Sequence, residues 1–129
     1  MSCGDGTPMG SRSTVQAVAA VFGAIYLVAG ILGFFNHELL GIFKVNLVHN
    51  LVHVVIGIGG LAAASSLPNS KRFCQIAGVI LLLFGLIGIG AANPFGLLYI
   101  GGSDIALHLV TGGVLAYFGF AAPVSTRSA

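Results

Sequence analysis

Charged residues are scarce in this chain of 129 residues: Asp, Glu, Lys and Arg together make up 6% of it, whereas a soluble domain carries about a quarter. Hydrophobic residues make up 57%, and the mean hydropathy is +1.04. This composition excludes a water-soluble globular domain. The formal net charge is only +2 and the basic residues are scattered, so we expect no nucleic-acid partner, which would need a basic patch.

Other absences narrow the function classes. Cys3 and Cys74 are too few and too far apart for a disulfide framework or a metal-ligand pair. No HExxH, GxSxG or P-loop motif is present, so we expect no enzymatic activity and assign no catalytic residue. Tryptophan is absent as well, which leaves Tyr26, Tyr99, Tyr117 and the phenylalanines as the expected aromatic residues at a membrane interface.

The few charges leave four long apolar stretches. Each is longer than the roughly 20 residues that a helix needs to cross a bilayer. With the flanking Pro, Asn and Ser residues as boundaries, they predict spans at about 15–35, 45–64, 73–92 and 103–122, with short tails at 1–14 and 123–129. The predicted fold class is therefore an all-α integral membrane protein with four transmembrane helices.

The basic residues predict the orientation of these helices. Arg12, Lys71, Arg72 and Arg127 lie on one side of a four-span arrangement, and Lys44 alone lies on the other. Because cytoplasmic loops are enriched in Lys and Arg, both termini and the central loop are expected in the cytoplasm of a multi-pass protein of the plasma (inner) membrane. The polar N-terminus does not resemble a signal peptide, so the first span is expected to be retained.

A shift of 55 residues aligns the chain with itself without a gap. The identities include Gly23 with Gly78, Gly30 with Gly85, Gly33 with Gly88, His53 with His108, and Gly57 with Gly112. This pattern predicts a tandem repeat of a two-helix unit. The glycines are expected to let neighbouring helices approach closely.

Polar residues recur on one face of the second and of the fourth predicted span. Because they are spaced three or four residues apart, each set shares a helix face. In the predicted orientation they lie in the outer half of the membrane and form a polar intramembrane cluster of Asn46, His49, Asn50, His53, Asp104, His108 and Thr111.

Three interpretations of this cluster remain open. In the first, it is an interhelical hydrogen-bond cluster that fixes the register of the helices. In the second, His53 and His108 bind a cofactor, as the two axial ligands of haem b iron or singly to chlorophyll magnesium. In the third, a proton or small-cation pathway runs through Glu38, His49, His53, Asp104 and His108. His49 and His53 have the spacing of a zinc-binding pair, but only Asp104 is evident as a third ligand, so no metal site is assigned.

The segment Leu40–Ala64 carries the motif V-N-x-x-H-N-x-x-H at Val45–His53, and a second motif, D-x-x-x-H-L, begins at Asp104. In both motifs the chain resembles a bacterial family of small four-helix membrane proteins, domain of unknown function 4383, over about residues 15–121. The resemblance implies a four-span membrane protein with no established activity, in which the motif residues have no known role. We expect a structural or accessory protein of the lipid bilayer, as a subunit of a larger membrane assembly or as a homo-oligomer, because many small-residue helix faces accompany the absence of a sizeable soluble part.

Overall fold

The computed structural model describes residues 13–123, and these are mostly helical. The predicted tails, with Cys3, Arg12 and Arg127, lie almost wholly outside the described residues. The elements in chain order are α1 (Thr14–Phe35), β1 (Glu38–Leu39), β2 (Phe43–Lys44), α2 (Leu47–Ala63), α3 (Leu67–Gly90), a 3₁₀ turn (Pro94–Gly96) and α4 (Ser103–Ala116), which continues as a π-helical turn (Tyr117–Ala121).

Three of these segments are long and apolar enough to cross a membrane: Thr14–Phe35, Leu67–Gly90 and Ser103–Ala121. The remaining helix, α2, is apolar but has only 17 residues. At 1.5 Å per residue it is about 25 Å long, somewhat less than the hydrocarbon core of about 30 Å. The described chain thus has three helices of spanning length and one shorter apolar helix.

The start of α3 differs from the prediction. The predicted span begins at about residue 73, but the helix already begins at Leu67. Ser66 caps it, because its side chain accepts a hydrogen bond from a backbone N–H of the first turn. Pro68 lies in that turn, where the missing N–H leaves no helical hydrogen bond unmade. Lys71 and Arg72 therefore belong to α3 and not to a loop.

The helices pack mainly as two antiparallel pairs, α1 with α2 and α3 with α4. Glycines form the contacts: a Cβ added at Gly23 would lie 2.7 Å from the backbone N of Leu61, and one at Gly78 would lie 2.5 Å from that of Ala116. Gly78 and Ala116 lie 55 residues after Gly23 and Leu61, respectively. The same offset relates two further sets of contacts: Gly30 with Val54 and Gly85 with Leu109, and Gly57 with Leu27 and Gly112 with Leu82.

Two connections lie at the end of the bundle where α2 and α4 begin. The first contains the small antiparallel hairpin of β1 and β2, in which Glu38 pairs with Lys44 and both are exposed. Leu40 and Gly41 turn the hairpin with positive φ values of 54° and 70°. The Ser103 hydroxyl at the start of α4 donates a 2.6 Å hydrogen bond to a hairpin carbonyl. This bond holds the hairpin against the end of α4.

Burial in the bundle is reversed relative to a soluble protein. The outer surface carries large apolar side chains, such as Val55 (69% exposed) and Ile89 (65%). The interior contains apolar residues, including Leu81 and Leu115, together with buried polar ones: Ser13, His49, Asn50, His53, Ser70, Asp104 and His108. An apolar surface around a partly polar interior suits a lipid environment.

Candidate functional site

The buried polar residues converge near the N-terminal ends of α2 and α4. His49 and His53 lie one turn apart on α2, and Asp104 and His108 lie one turn apart on α4. Each of the four is at most 4% exposed. Because side chains four residues apart share a helix face, each helix presents two of these groups to the other.

The three imidazole rings form one cluster. The ring of His49 lies 4.4 Å from that of His53 and 5.5 Å from that of His108, measured between centroids. One ring nitrogen from each of the three histidines lies within 4.8 Å of the others. Asp104 borders the cluster: its Oδ2 is 3.7 Å from His49 Nε2, and its Oδ1 is 3.4 Å from His108 Nδ1. The four residues form what we term the histidine site.

One of these histidines has an assigned tautomer. His108 Nδ1 lies 2.8 Å from the backbone carbonyl oxygen of Asp104. Since a carbonyl oxygen only accepts hydrogen bonds, Nδ1 must be the donor, and the neutral ring then keeps its lone pair on Nε2. A hydrogen bond from one ring nitrogen to a carbonyl is the usual way in which a protein orients a metal-binding histidine.

Several buried polar atoms at this site have no hydrogen-bond partner within residues 13–123. They are both ring nitrogens of His49 and of His53, both side-chain polar atoms of Asn50, and Oδ2 of Asp104. Leaving such an atom unpaired costs about 1–3 kcal/mol, so proteins rarely do so. Every buried side-chain atom of this kind in the described chain belongs to this one region. Such a concentration is typical of a binding site.

Asn50 and Gly33 form the wall of the site toward α1. Asn50 is fully buried, and its side chain packs directly on Gly33. A Cβ at Gly33 would overlap Asn50 Oδ1 and lie 2.6 Å from its Cγ. A side chain at position 33 would therefore displace the amide of Asn50 from this side of the site.

Tyr26 lies deeper in the bundle beside His53. Its hydroxyl donates a 2.8 Å hydrogen bond to Thr111, whose own hydroxyl donates to a carbonyl of α4, and its ring lies 5.1 Å from that of His53. The expectation that Tyr26 anchors a membrane interface is wrong, because the residue is only 4% exposed. Its spacing from Gly23 and Gly30, which places it on the packed face of α1, is the signal that could have located it.

Two residues of the predicted cluster and pathway lie elsewhere. Asn46 is partly exposed and caps α2: its side chain accepts a hydrogen bond from the His49 N–H and donates one to the carbonyl of Leu97. It thus positions His49 from the connection without joining the buried cluster. Glu38 lies on the exposed hairpin.

The geometry suits a single ion better than a porphyrin. Haem iron held between His53 and His108 would need a slot for the macrocycle between the two rings, yet His49 packs against both of them. A large apolar cavity lies beside His53, but no Lys or Arg lines it to bind the propionates of a haem. Sequence spacing had suggested only Asp104 as a third ligand beside His49 and His53, whereas the structure adds His108. The correspondence of His108 to His53 at an offset of 55 residues was the signal in the sequence that could have indicated His108 as a ligand.

Neither curated proteins nor solved structures gave a match. The family described as domain of unknown function (DUF4383) matches residues 16–121, a range that includes the whole histidine site and confirms the resemblance seen in the sequence motifs. The chain belongs to the DUF4383 family.

Proposed function

We propose that this protein is a four-span membrane protein that binds one first-row transition-metal dication, of the Zn²⁺ class, at the histidine site. The observation that supports this most directly is the approach of three buried imidazoles to within 4.8 Å between ligand atoms. The proposed role is binding and not catalysis.

The chemistry of the ligands favours such an ion. Imidazole nitrogen binds Zn²⁺ and its neighbours in the first transition row at about 2.0–2.1 Å. Two nitrogens on one tetrahedral ion are then about 3.4 Å apart. The separations in the structure are within 4.8 Å, so modest side-chain rotations of His49, His53 and His108 would bring all three to one ion. Asp104 would supply the fourth ligand.

The carboxylate also matters for charge. A dication in an apolar environment needs nearby negative charge, and Asp104, 1% exposed, carries the one carboxylate of the site. Beyond His53 on α2 and beyond His108 on α4, the described helices contain no charged residue that would continue a proton or cation pathway. Binding is therefore better supported than conduction.

The proposed orientation places the histidine site in the outer half of the plasma (inner) membrane. Lys71 and Arg72 lie in the first turns of α3, at the end of the bundle opposite the hairpin, and basic residues favour the cytoplasmic side. In a chain with Cys3→Ser and Cys74→Ser, Lys44→Cys should react with an impermeant maleimide on intact cells. Asn69→Cys should react only after permeabilisation, and the reverse pattern would contradict the orientation.

Metal binding is tested on the full chain in detergent by titration with Zn²⁺ against a chromophoric chelator. We expect one ion per chain. His49→Ala, His53→Ala and His108→Ala should each weaken binding by more than about 100-fold, because loss of a supporting group alone costs about 10–100-fold. His37→Ala is the matched control, since His37 is the remaining histidine of the chain and is exposed on the connection after α1.

Folding is monitored in parallel by circular dichroism and size-exclusion chromatography, and His53→Gln is used should the alanine variant lose its helices. Co²⁺ should give the visible absorption of a nitrogen-ligated ion, and this absorption should be lost in folded His53→Gln. Wild-type affinity in all three alanine variants, or equal loss in His37→Ala, would overturn the metal site. A stoichiometric Soret or chlorophyll band in the purified protein would instead support cofactor binding by His53 and His108.

We also propose that the bundle is a tandem two-helix repeat. It is supported by the glycine contacts that recur at an offset of 55 residues. In this repeat His49 corresponds to Asp104, and His53 corresponds to His108. The histidine site would then lie near the pseudo-twofold axis that relates the two halves, a common location for binding sites in repeated membrane proteins.

A role as an accessory subunit of a membrane assembly, or as a homo-oligomer, is the remaining proposal about partners. It is supported by the apolar outer surface of a chain whose described part is almost entirely helix bundle. Native mass spectrometry after extraction in mild detergent should show a complex larger than the single chain. A monomer without any partner under these conditions would contradict it.

A further inference from the structure

A large apolar cavity of about 720 Å³ lies beside the histidine site. Its walls come from α1, the hairpin and α4, with side chains such as Val28, Leu32 and Phe43. Its polar lining includes His53 and Asp104 from the histidine site. The cavity is partly open, and its volume is that of a site for a small organic molecule, for which about 300–1,000 Å³ is typical.

We propose that this cavity binds a neutral, lipophilic molecule with a hydroxyl head group, of the alkylphenol or hydroquinone class. The hydroxyl would meet His53 and Asp104, and the apolar part would lie along α1 and the hairpin. This ligand is additional to the metal ion, and its binding does not depend on the ion.

The polar end of the cavity determines the head group. His53 and Asp104 line this end of the cavity, and both ring nitrogens of His53 and Oδ2 of Asp104 are buried without a hydrogen-bond partner in the described chain, so a small side-chain rotation would have to bring them to the cavity surface. A neutral imidazole has one N–H donor, and if its other nitrogen binds a metal, that N–H needs an acceptor. The carboxylate of Asp104 can bind an ion through one oxygen, and its other oxygen then still needs a donor. A hydroxyl group accepts from His53 and donates to Asp104, so it satisfies both.

Other head groups match this end less well. A carboxylate or phosphate would face the carboxylate of Asp104, and no Lys or Arg lines the cavity to compensate. A quinone carbonyl only accepts hydrogen bonds and leaves Asp104 unpaired, and a pure hydrocarbon leaves both residues unpaired.

The apolar walls indicate where the ligand enters. Ile25 and Leu32 of α1 line the cavity and are 55% and 53% exposed, because the cavity is partly open at the surface of the bundle. In the four-span arrangement this surface faces lipid. A lipophilic molecule dissolved in the bilayer could therefore reach the histidine site sideways, between α1 and the hairpin.

The probes are 4-nonylphenol, nonylbenzene, which lacks the hydroxyl, and nonanoic acid, which replaces it with a carboxylate. Isothermal titration calorimetry of the full chain in detergent should show saturable 1:1 binding of 4-nonylphenol, at least tenfold tighter than that of either control. Ala29→Phe should abolish binding, because Ala29 lines the cavity and the ring would fill it. Ala62→Phe, on an exposed part of α2 outside the cavity, should bind like the wild type.

Titrations with EDTA and with excess Zn²⁺ separate this ligand from the metal. Binding of 4-nonylphenol in EDTA supports the cavity ligand even if no metal is bound, whereas metal binding without phenol binding overturns the cavity ligand alone. Asp104→Asn should weaken phenol binding at least tenfold in EDTA. Equal affinity for all three probes would show that the cavity takes only hydrocarbon chains, and this result, like wild-type binding by Ala29→Phe, would overturn the inference.

Discussion

The contact between α3 and α4 offers the sharpest test of the packing, because two adjacent glycines of α4 differ completely in their surroundings. A Cβ added at Gly112 would lie 2.7 Å from the backbone N of Leu82 and 3.0 Å from Cβ of Leu81. A Cβ added at Gly113 would meet no atom within 4 Å. We therefore compare Gly112→Ala with Gly113→Ala.

The magnitude follows from the geometry. Ordinary van der Waals contact of a Cβ begins at 3.4 Å, so the Leu82 nitrogen at 2.7 Å must move away by about 0.7 Å. A backbone atom cannot rotate aside, and overpacking of this kind costs about 1–3 kcal/mol. The gain in helix propensity from glycine to alanine, about 0.5–1 kcal/mol, applies to both variants and cancels in the comparison. Gly112→Ala should therefore be about 1–3 kcal/mol less stable than Gly113→Ala.

The same displacement should reach the histidine site. His108 lies one helical turn before Gly112, so moving α4 away from α3 shifts a proposed metal ligand. Ligands must be held within about 0.5 Å of their productive geometry, and we expect Gly112→Ala to weaken Zn²⁺ binding at least tenfold. Gly113→Ala should leave Zn²⁺ binding unchanged.

The assay is SDS-induced unfolding in mixed micelles, followed by circular dichroism, together with the Zn²⁺ competition titration. If the free energies of unfolding of the two variants agree within about 0.5 kcal/mol, the close contact at Gly112 is refuted, since differences of that size are typical of neutral surface changes. If Gly112→Ala is destabilised but binds Zn²⁺ like the wild type, the link between this contact and the histidine site is refuted.

Two further predictions concern hydrogen bonds around the site. Tyr26→Phe removes the hydroxyl that bonds to Thr111 and should lower the free energy of unfolding by about 0.6 kcal/mol. Tyr117→Phe, at a position 52% exposed, should leave the free energy of unfolding unchanged. Equal effects of the two variants would contradict the hydrogen bond. Asn46→Ala removes the cap that binds the His49 N–H and should cost about 0.5–2 kcal/mol in the same unfolding assay. Asn46→Ser should recover most of that loss, and a silent Asn46→Ala would contradict the capping role.

The helices themselves were largely predictable. Apolar stretches between charges indicated four helices, and four α-helices are present in residues 13–123. The boundaries were less predictable because they depend on capping residues. Asn46 is the N-cap of α2, and Ser66 with Pro68 starts α3 earlier than hydropathy indicated. The hairpin over 38–44 gave no pattern in the sequence, since each of its strands has only two residues.

The site was predictable in composition more than in arrangement. Helical spacing placed His49 with His53, and Asp104 with His108, each pair on one face. It did not distinguish Asn46, which caps a helix, from Asn50, which is buried. It also passed over Tyr26. The spacing from Gly23 and Gly30 places this residue on the packed face of α1, but spacing within one helix does not show which side chains of α2 and α4 it meets.

By itself the sequence determined the membrane-like composition, the family, the helices and the pairs of polar residues within each helix. These depend on hydropathy and on the fixed geometry of 3.6 residues per turn, which are local properties of the chain. Only the tertiary structure decided that three imidazoles and one carboxylate meet, that Asn50 packs on Gly33, and that an apolar cavity adjoins them. These depend on the rotation and separation of whole helices, which the close glycine contacts between α1 and α2 and between α3 and α4 set.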